Sequence, residues 1–203
     1  MSTLAADPIS SLGFSEAELL ASICRESYYD FVLNFWPAIP GAGKMIDSWH
    51  IKYLCDEIQY VAERVFKGLP VEHDLICNIA PGTSKSSVFS VLFLPWTWTR
   101  MPGARHLTGT HTESLALDLA SRSKAVVQSE LYQTCFPDIK IRKDSNEHFT
   151  NNHGGERITC TVGGKSPMGR HSHFLALDDP LDPQRAMSVA EVKVAENFVN
   201  NYF

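Results

Sequence analysis

Three lysines stand where a backbone turn could seat a phosphate: Lys44 in "PGAGK", Lys85 in "APGTSKSS" and Lys165 in "VGGKS". Seating a phosphate asks for four features in one place. A buried strand leads in, a turn aims its N–H groups inward, a helix starts at the lysine so that its positive end faces the anion, and a hydroxyl follows for Mg²⁺. At Lys44 the next residue is Met45, which has no hydroxyl. At Lys165 the hydroxyl of Ser166 is present, but Pro167 and Gly169 follow and oppose a long helix. At Lys85 the apolar "DLICNI" predicts the strand, "KSSVFSVLFL" the helix, and Ser86 supplies the hydroxyl. This loop lacks only the glycine before lysine. Ser84 stands there, which is tolerable where its backbone is not strongly left-handed. The stretch Pro81, Gly82, Thr83, Ser84, Lys85, Ser86 and Ser87 is the candidate anion site, against an ordinary strand-turn-helix connection with an exposed lysine.

Such a loop calls for an aspartate at the tip of a neighbouring apolar strand, with a second carboxylate to place the attacking water. "HFLALDDPLD" has that pattern, with Asp178 and Asp179 at the carboxyl end of a short apolar run, where ligands bind in open α/β sheets. Strand alternation sends adjacent side chains to opposite sides, which assigns Asp178 to the metal and Asp179 to the water. The bland alternative is an Asp-Asp-Pro turn or helix cap. Other chemistry finds less support. His171 and His173 have no third ligand at zinc-site spacing, and no nucleophile-elbow pattern favours a Ser-His-Asp set.

The elements that would position these groups follow from periodicity. Helical spacing over 15–34, opened by a Ser15/Glu18 capping box, and a second amphipathic helix opened by Ser48 precede the loop. Strands are predicted at 74–79, 104–109, near 157–162 and at 173–177. Helices are predicted from about 85, over 112–129 and from Ser188, with a hairpin-like polar region between the second and third strands. Strands alternating with helices imply an α/β fold, a mostly parallel sheet flanked by helices on both faces, with an N-terminal helical extension. The division expected is a helical segment at 1–47 and the α/β domain at 48–203.

Composition narrows the function. With 203 residues and 44% hydrophobic content the chain can bury the core of one globular domain. Five scattered cysteines without a Cys-x-x-Cys pair fit buried thiols in a reducing compartment. No signal peptide or run of membrane-span length is visible, so no membrane partner is expected. A net charge of −5 opposes a general nucleic-acid coat protein, so any DNA contact is local, with Arg142 and Lys143 of "KIRKD" the best source and a solvated edge-strand face the alternative.

Taken in order, "SWHIKYLCDEIQYV", "NIAPGTSKSSVFSVLFLPWTW", "GARHLTGTHTESLALDLASRSKAVVQSELYQTCFP", "GGERITCTVGGKSPMGRHSHFLALDDP" and "AMSVAEVKVAENFVNNYF" resemble the large subunit of tailed-bacteriophage terminases, the DNA-packaging motors. The likeness runs over roughly residues 34 to 203, and several terminases carry a loop without the glycine before lysine. It implies a P-loop NTPase of the RecA-like, additional-strand type that hydrolyses Mg-ATP to drive double-stranded DNA into the procapsid. It implies that Lys85 contacts the β- and γ-phosphates, that Ser86 and Asp178 hold Mg²⁺, and that Asp179 is the catalytic acid, in the shorter Asp form. Trp49 and His50 match the region near the adenine, and Arg170 looks like the arginine offered to a neighbouring subunit's ATP. The partners implied are the portal protein, the small terminase subunit and further copies in a ring, in the host cytoplasm and transiently at the portal. The family's coupling motif and nuclease domain cannot be placed in this chain, and nuclease activity is not expected. A non-catalytic docking module on the same fold is the competing expectation.

Overall fold

In the computed structural model the described residues are 15–145, 147–164, 171–182, 184 and 187–202. Ser15 opens helix α1 (Glu16–Glu26) with a capping box: its hydroxyl accepts from the Glu18 N–H, and the Glu18 carboxylate accepts from the Ser15 N–H. The single helix expected over 15–34 is two helices. Ser27 takes extended backbone, accepts from the Asp30 N–H through its hydroxyl, and starts α2 (Tyr28–Phe35). The break lets α2 set its own apolar face, so that Tyr28, Phe31 and Phe35 are fully buried and the last two rings stack at 4.3 Å.

Helix α3 (Trp49–Phe66) lays Ile51, Cys55, Ile58 and Ala62 on the same core at helical spacing. Gly68, with φ +64, ends it and lets the Leu69 N–H reach back to the Arg64 carbonyl. Residues on both sides of position 48 share one apolar cluster, Phe31 and Phe35 with Trp96, Tyr132 and Phe136 among them. The five cysteines are free thiols, and burial pushes Cys24 and Cys55 up to about 12.

The segment 74–79, expected as the strand that leads into the loop, joins no ladder among the described residues. Its residues alternate as a strand's would, with Leu75, Cys77 and Ile79 half-buried and Ile76 90% exposed. Alternation reports a half-covered face, whereas a strand also needs a partner edge, which the period cannot supply. The helix expected from about 85 begins at Lys85, passes through a π-helical stretch at Ser87–Leu92 and continues as α4 (Phe93–Arg100).

Beyond α4 come β1 (Arg105–Thr110), α5 (Glu113–Gln128), α6 (Glu130–Cys135), β2 (Ile141–Asp144), β3 (His148–Asn151), β4 (Glu156–Thr161), β5 (Phe174–Leu177) and α7 (Val189–Tyr202). The sheet order is β2-β3-β4-β1-β5. Strand β1 is parallel to β4 and β5, while β2·β3 and β3·β4 are antiparallel. The protein is therefore α/β with a mixed five-stranded sheet flanked by helices, rather than mostly parallel. The cause is the polar region after α6: β2, β3 and β4 follow one another through turns too short for the crossover that parallel pairing needs. β1, between β4 and β5, is buried along nearly its whole length, and Phe174 of β5 packs its ring edge-on to Phe93 of α4 at 5.1 Å.

Candidate functional site

The chain from Ile79 to Ser87 wraps a cavity of about 320 Å³ whose remaining lining residue is Asp179. Local chemistry shapes the loop. Thr83 Oγ1 donates to the Ala80 carbonyl at 2.6 Å, and Gly82 takes φ +78, which glycine adopts freely. Ser84 takes φ +68, so the condition under which serine was tolerable is not met: its backbone is left-handed. It is held there by the helix it starts, its carbonyl accepting from the Val88 N–H at 3.1 Å. The chain is helical from Lys85 onward, and first-turn N–H groups have no helical carbonyl to meet. Lys85, Ser86 and Ser87 line the cavity with the positive end of that helix.

Asp178 and Asp179 follow β5 directly, and the Asp178 N–H donates to the Gly109 carbonyl of β1 at 2.9 Å. The two carboxylates do not diverge as alternation predicts. β5 ends at Leu177, Asp179 takes φ +46, and both side chains reach Lys85: Asp179 pairs with Lys85 Nζ directly, and Asp178 Oδ1 lies 3.5 Å from it. Burial opposes the Lys85 charge, but hydrogen bonds and charge from the two aspartates outweigh it and hold the ammonium above the usual lysine range.

Three residues that the sequence patterns did not single out complete the site. Ser90, in the π-helical stretch, donates its hydroxyl to Asp178 Oδ2 at 2.9 Å. Arg157 of β4, fully buried, donates from Nη1 to the Ser90 carbonyl at 2.7 Å and from Nε to Thr108 Oγ1 at 3.1 Å. Burial pulls its guanidinium down to about 9, with Asp178 opposing, so it keeps its charge at neutral pH. His111, just past β1, gives both its N–H (3.2 Å) and Nδ1 (2.8 Å) to the Asp179 carbonyl. An arginine inside a predicted strand and a proline inside a predicted helix were the available signals.

His50 Nε2 donates to the Thr83 carbonyl at 3.3 Å, while Nδ1 accepts from Ser48 Oγ at 2.8 Å, so α3 is tied to the loop. Trp49 is 81% exposed and stands edge-on to His50, which rules out a helix-packing role for it. Arg170 lies outside the described residues, as do Lys165 and Ser166. Lys44 lines a different cavity, with Trp36 and Met45, and α3 starts only five residues later. His173 Nδ1 accepts from the Arg105 N–H at 3.0 Å. Arg142 and Lys143 lie on the outer strand β2, where Lys143 donates to His148 Nδ1 at 3.0 Å.

The pocket thus offers an anion the first turn of a helix and one ammonium, with the hydroxyls of Ser86 and Ser87 and the carboxylate of Asp179 in its lining as oxygen donors for a cation. No helix among the described residues is long and apolar enough to cross a membrane. No protein-family model matches the sequence, and no curated protein matches it either.

Proposed function

We propose that this chain is the ATPase domain of a terminase-like DNA-packaging motor, which hydrolyses Mg-ATP to drive double-stranded DNA into a procapsid. The observation that carries the reading is the meeting of Lys85 with Asp178 and Asp179 beside the cavity lined by the loop 79–87. The N–H groups of Gly82 to Ser87, with Lys85, receive the β- and γ-phosphates, and an arriving anion draws Lys85 away from Asp179. Asp179, set free, accepts a hydrogen bond from the attacking water and holds it in line. Ser86 and Asp178 would hold Mg²⁺, a hydroxyl and a carboxylate oxygen being the hard donors that suit it. When bound, the ion neutralises charge on the transferring phosphoryl group.

Trp49 and His50 stand on the adenine side of the loop. Arg170 serves a neighbouring subunit's nucleotide in a ring on the portal protein, with the small terminase subunit as a further partner, in the host cytoplasm. DNA contact is confined to local basic residues such as Arg142 and Lys143. The pairing of Lys85 with Asp179 favours one competing reading, a catalytically weak docking module whose two working groups occupy each other.

Turnover of Mg-ATP with and without double-stranded DNA separates the two. The motor reading expects turnover that rises more than linearly with protein concentration; nucleotide binding without turnover favours the docking module. Lys85→Ala is expected to weaken ATP about tenfold to a hundredfold, the value of ~1.5–3 kcal/mol for a charge-assisted hydrogen bond. Asp179→Asn keeps binding and loses turnover. Normal binding and turnover in both variants sinks the assignment.

A further inference from the structure

The helix that starts at Lys85 is irregular, and the sequence supplies the cause. Pro95 stands inside it with no N–H to give, and its ring crowds the carbonyl one turn earlier. The π-helical stretch Ser87–Leu92 lies directly before this proline, and in such a stretch a carbonyl looks five residues ahead for its donor. Five residues ahead of Ser90 is Pro95. With no N–H at that position, Arg157 Nη1 donates to the Ser90 carbonyl at 2.7 Å. The hydroxyl of the same residue donates to Asp178 Oδ2. Ser90 and Asp178 are each 5% exposed and Arg157 1%. Burying a guanidinium is costly, and an aliphatic side chain would fill a strand position without that cost. The chain of contacts ends on a carboxylate whose other oxygen, Oδ1, is the one turned toward Lys85 at 3.5 Å.

We propose that Arg157 and Ser90 are positioning residues that hold Asp178 in one orientation, with Oδ2 engaged and Oδ1 presented to the anion-binding loop. This rests on the reading of that loop as a Mg-nucleotide site. Arg157 fixes the Ser90 backbone, Ser90 fixes the carboxylate, and neither touches the nucleotide. Pro95 is what frees the carbonyl on which the relay depends.

Two readouts test it. In the ligand-free protein, thermal unfolding of Ser90→Ala, Asp178→Ala and the double variant forms a cycle. The relay predicts that the two falls in midpoint do not add, and additive falls overturn the contact. In the second readout, calorimetric titration with ADP is run with and without Mg²⁺. For Ser90→Ala the ratio of the two affinities is expected to fall about tenfold, as it does when a partner of a metal ligand is removed. Ser90→Thr, which keeps the hydroxyl, keeps the ratio near the wild-type value; Arg157→Met, which removes the donor to the Ser90 carbonyl, lowers it, and Arg157→Lys retains part of it. An unchanged ratio in Ser90→Ala overturns the positioning role, and so does failure of Ser90→Thr to keep it. A wild-type chain that binds ADP under neither condition removes the nucleotide reading instead, and the unfolding cycle alone then decides whether Ser90 holds Asp178.

Discussion

Two residues other than glycine hold positive φ beside the cavity, Ser84 at +68 and Asp179 at +46. A left-handed backbone costs a residue with a Cβ about 1–2 kcal/mol, and glycine escapes that cost while giving back roughly 0.5–1 kcal/mol in chain entropy. Ser84→Gly should therefore leave stability equal or higher by up to about 1 kcal/mol, a rise in midpoint of roughly 2–4 °C for a chain of this size. Ser84→Val, stiff at its branched Cβ, should lower it, so the order Gly, Ser, Val in a thermal melt is the check. The sequence showed the serine but not its backbone, because φ is set by how the loop must turn to start the helix. Lys85, Asp178 and Asp179 were legible as candidates since each ends a pattern, a turn or an apolar run. Ser90 and Arg157 were not, because each sits inside a pattern whose outline it does not alter, and His111 was not, because it falls in the link between a predicted strand and a predicted helix.

Helix α2 grips the loop helix through Tyr28, whose buried hydroxyl donates to the Val88 carbonyl in the π-helical stretch. Tyr28→Phe keeps the ring among Phe93 and Trp96 and removes the side-chain donor from that buried carbonyl, which costs about 0.5–1.5 kcal/mol. The expected result is a lower urea midpoint at unchanged slope, and an unchanged midpoint would mean that another donor replaces the hydroxyl. Amphipathic spacing made α3 legible almost to the residue, and apolar runs located β1, β4 and β5. The break at Ser27 was hidden because apolar spacing continues across it. The mixed sheet was legible only in part: the polar stretch read as hairpin-like, where β2 and β3 pair antiparallel, but its few apolar residues did not show that this hairpin joins the sheet beside β4. The segment 74–79 shows the converse error, since it has the alternation of a strand and no partner edge.

Across the whole molecule, acid should loosen the core, and His106 is the reason. It is buried on β1 between Phe93 and Phe174, with Nε2 at 2.8 Å from Thr97 Oγ1. Thr97 spends its one hydrogen on the Leu94 carbonyl, so the imidazole donates from Nε2. Burial, with the nearby charge of Arg157 and His173, holds His106 well below the ordinary histidine value; His173 is lowered too, by burial and then by Arg105. The unfolded chain then takes up protons at a pH where the folded chain refuses them. Stability is full above the unfolded value near pH 6.5 and is lost as pH falls from there toward the folded value of His106, by up to about 1.4 kcal/mol per pH unit for that buried group, while solvent screening leaves His173 a smaller share. Urea unfolding between about pH 5 and pH 7.5 should show that slope, and His106→Gln, which keeps a donor for Thr97, should flatten most of it. A slope that survives the substitution intact would place the acid sensitivity in His173 or elsewhere on the sheet, and the neutral core histidine would then be a packing group alone.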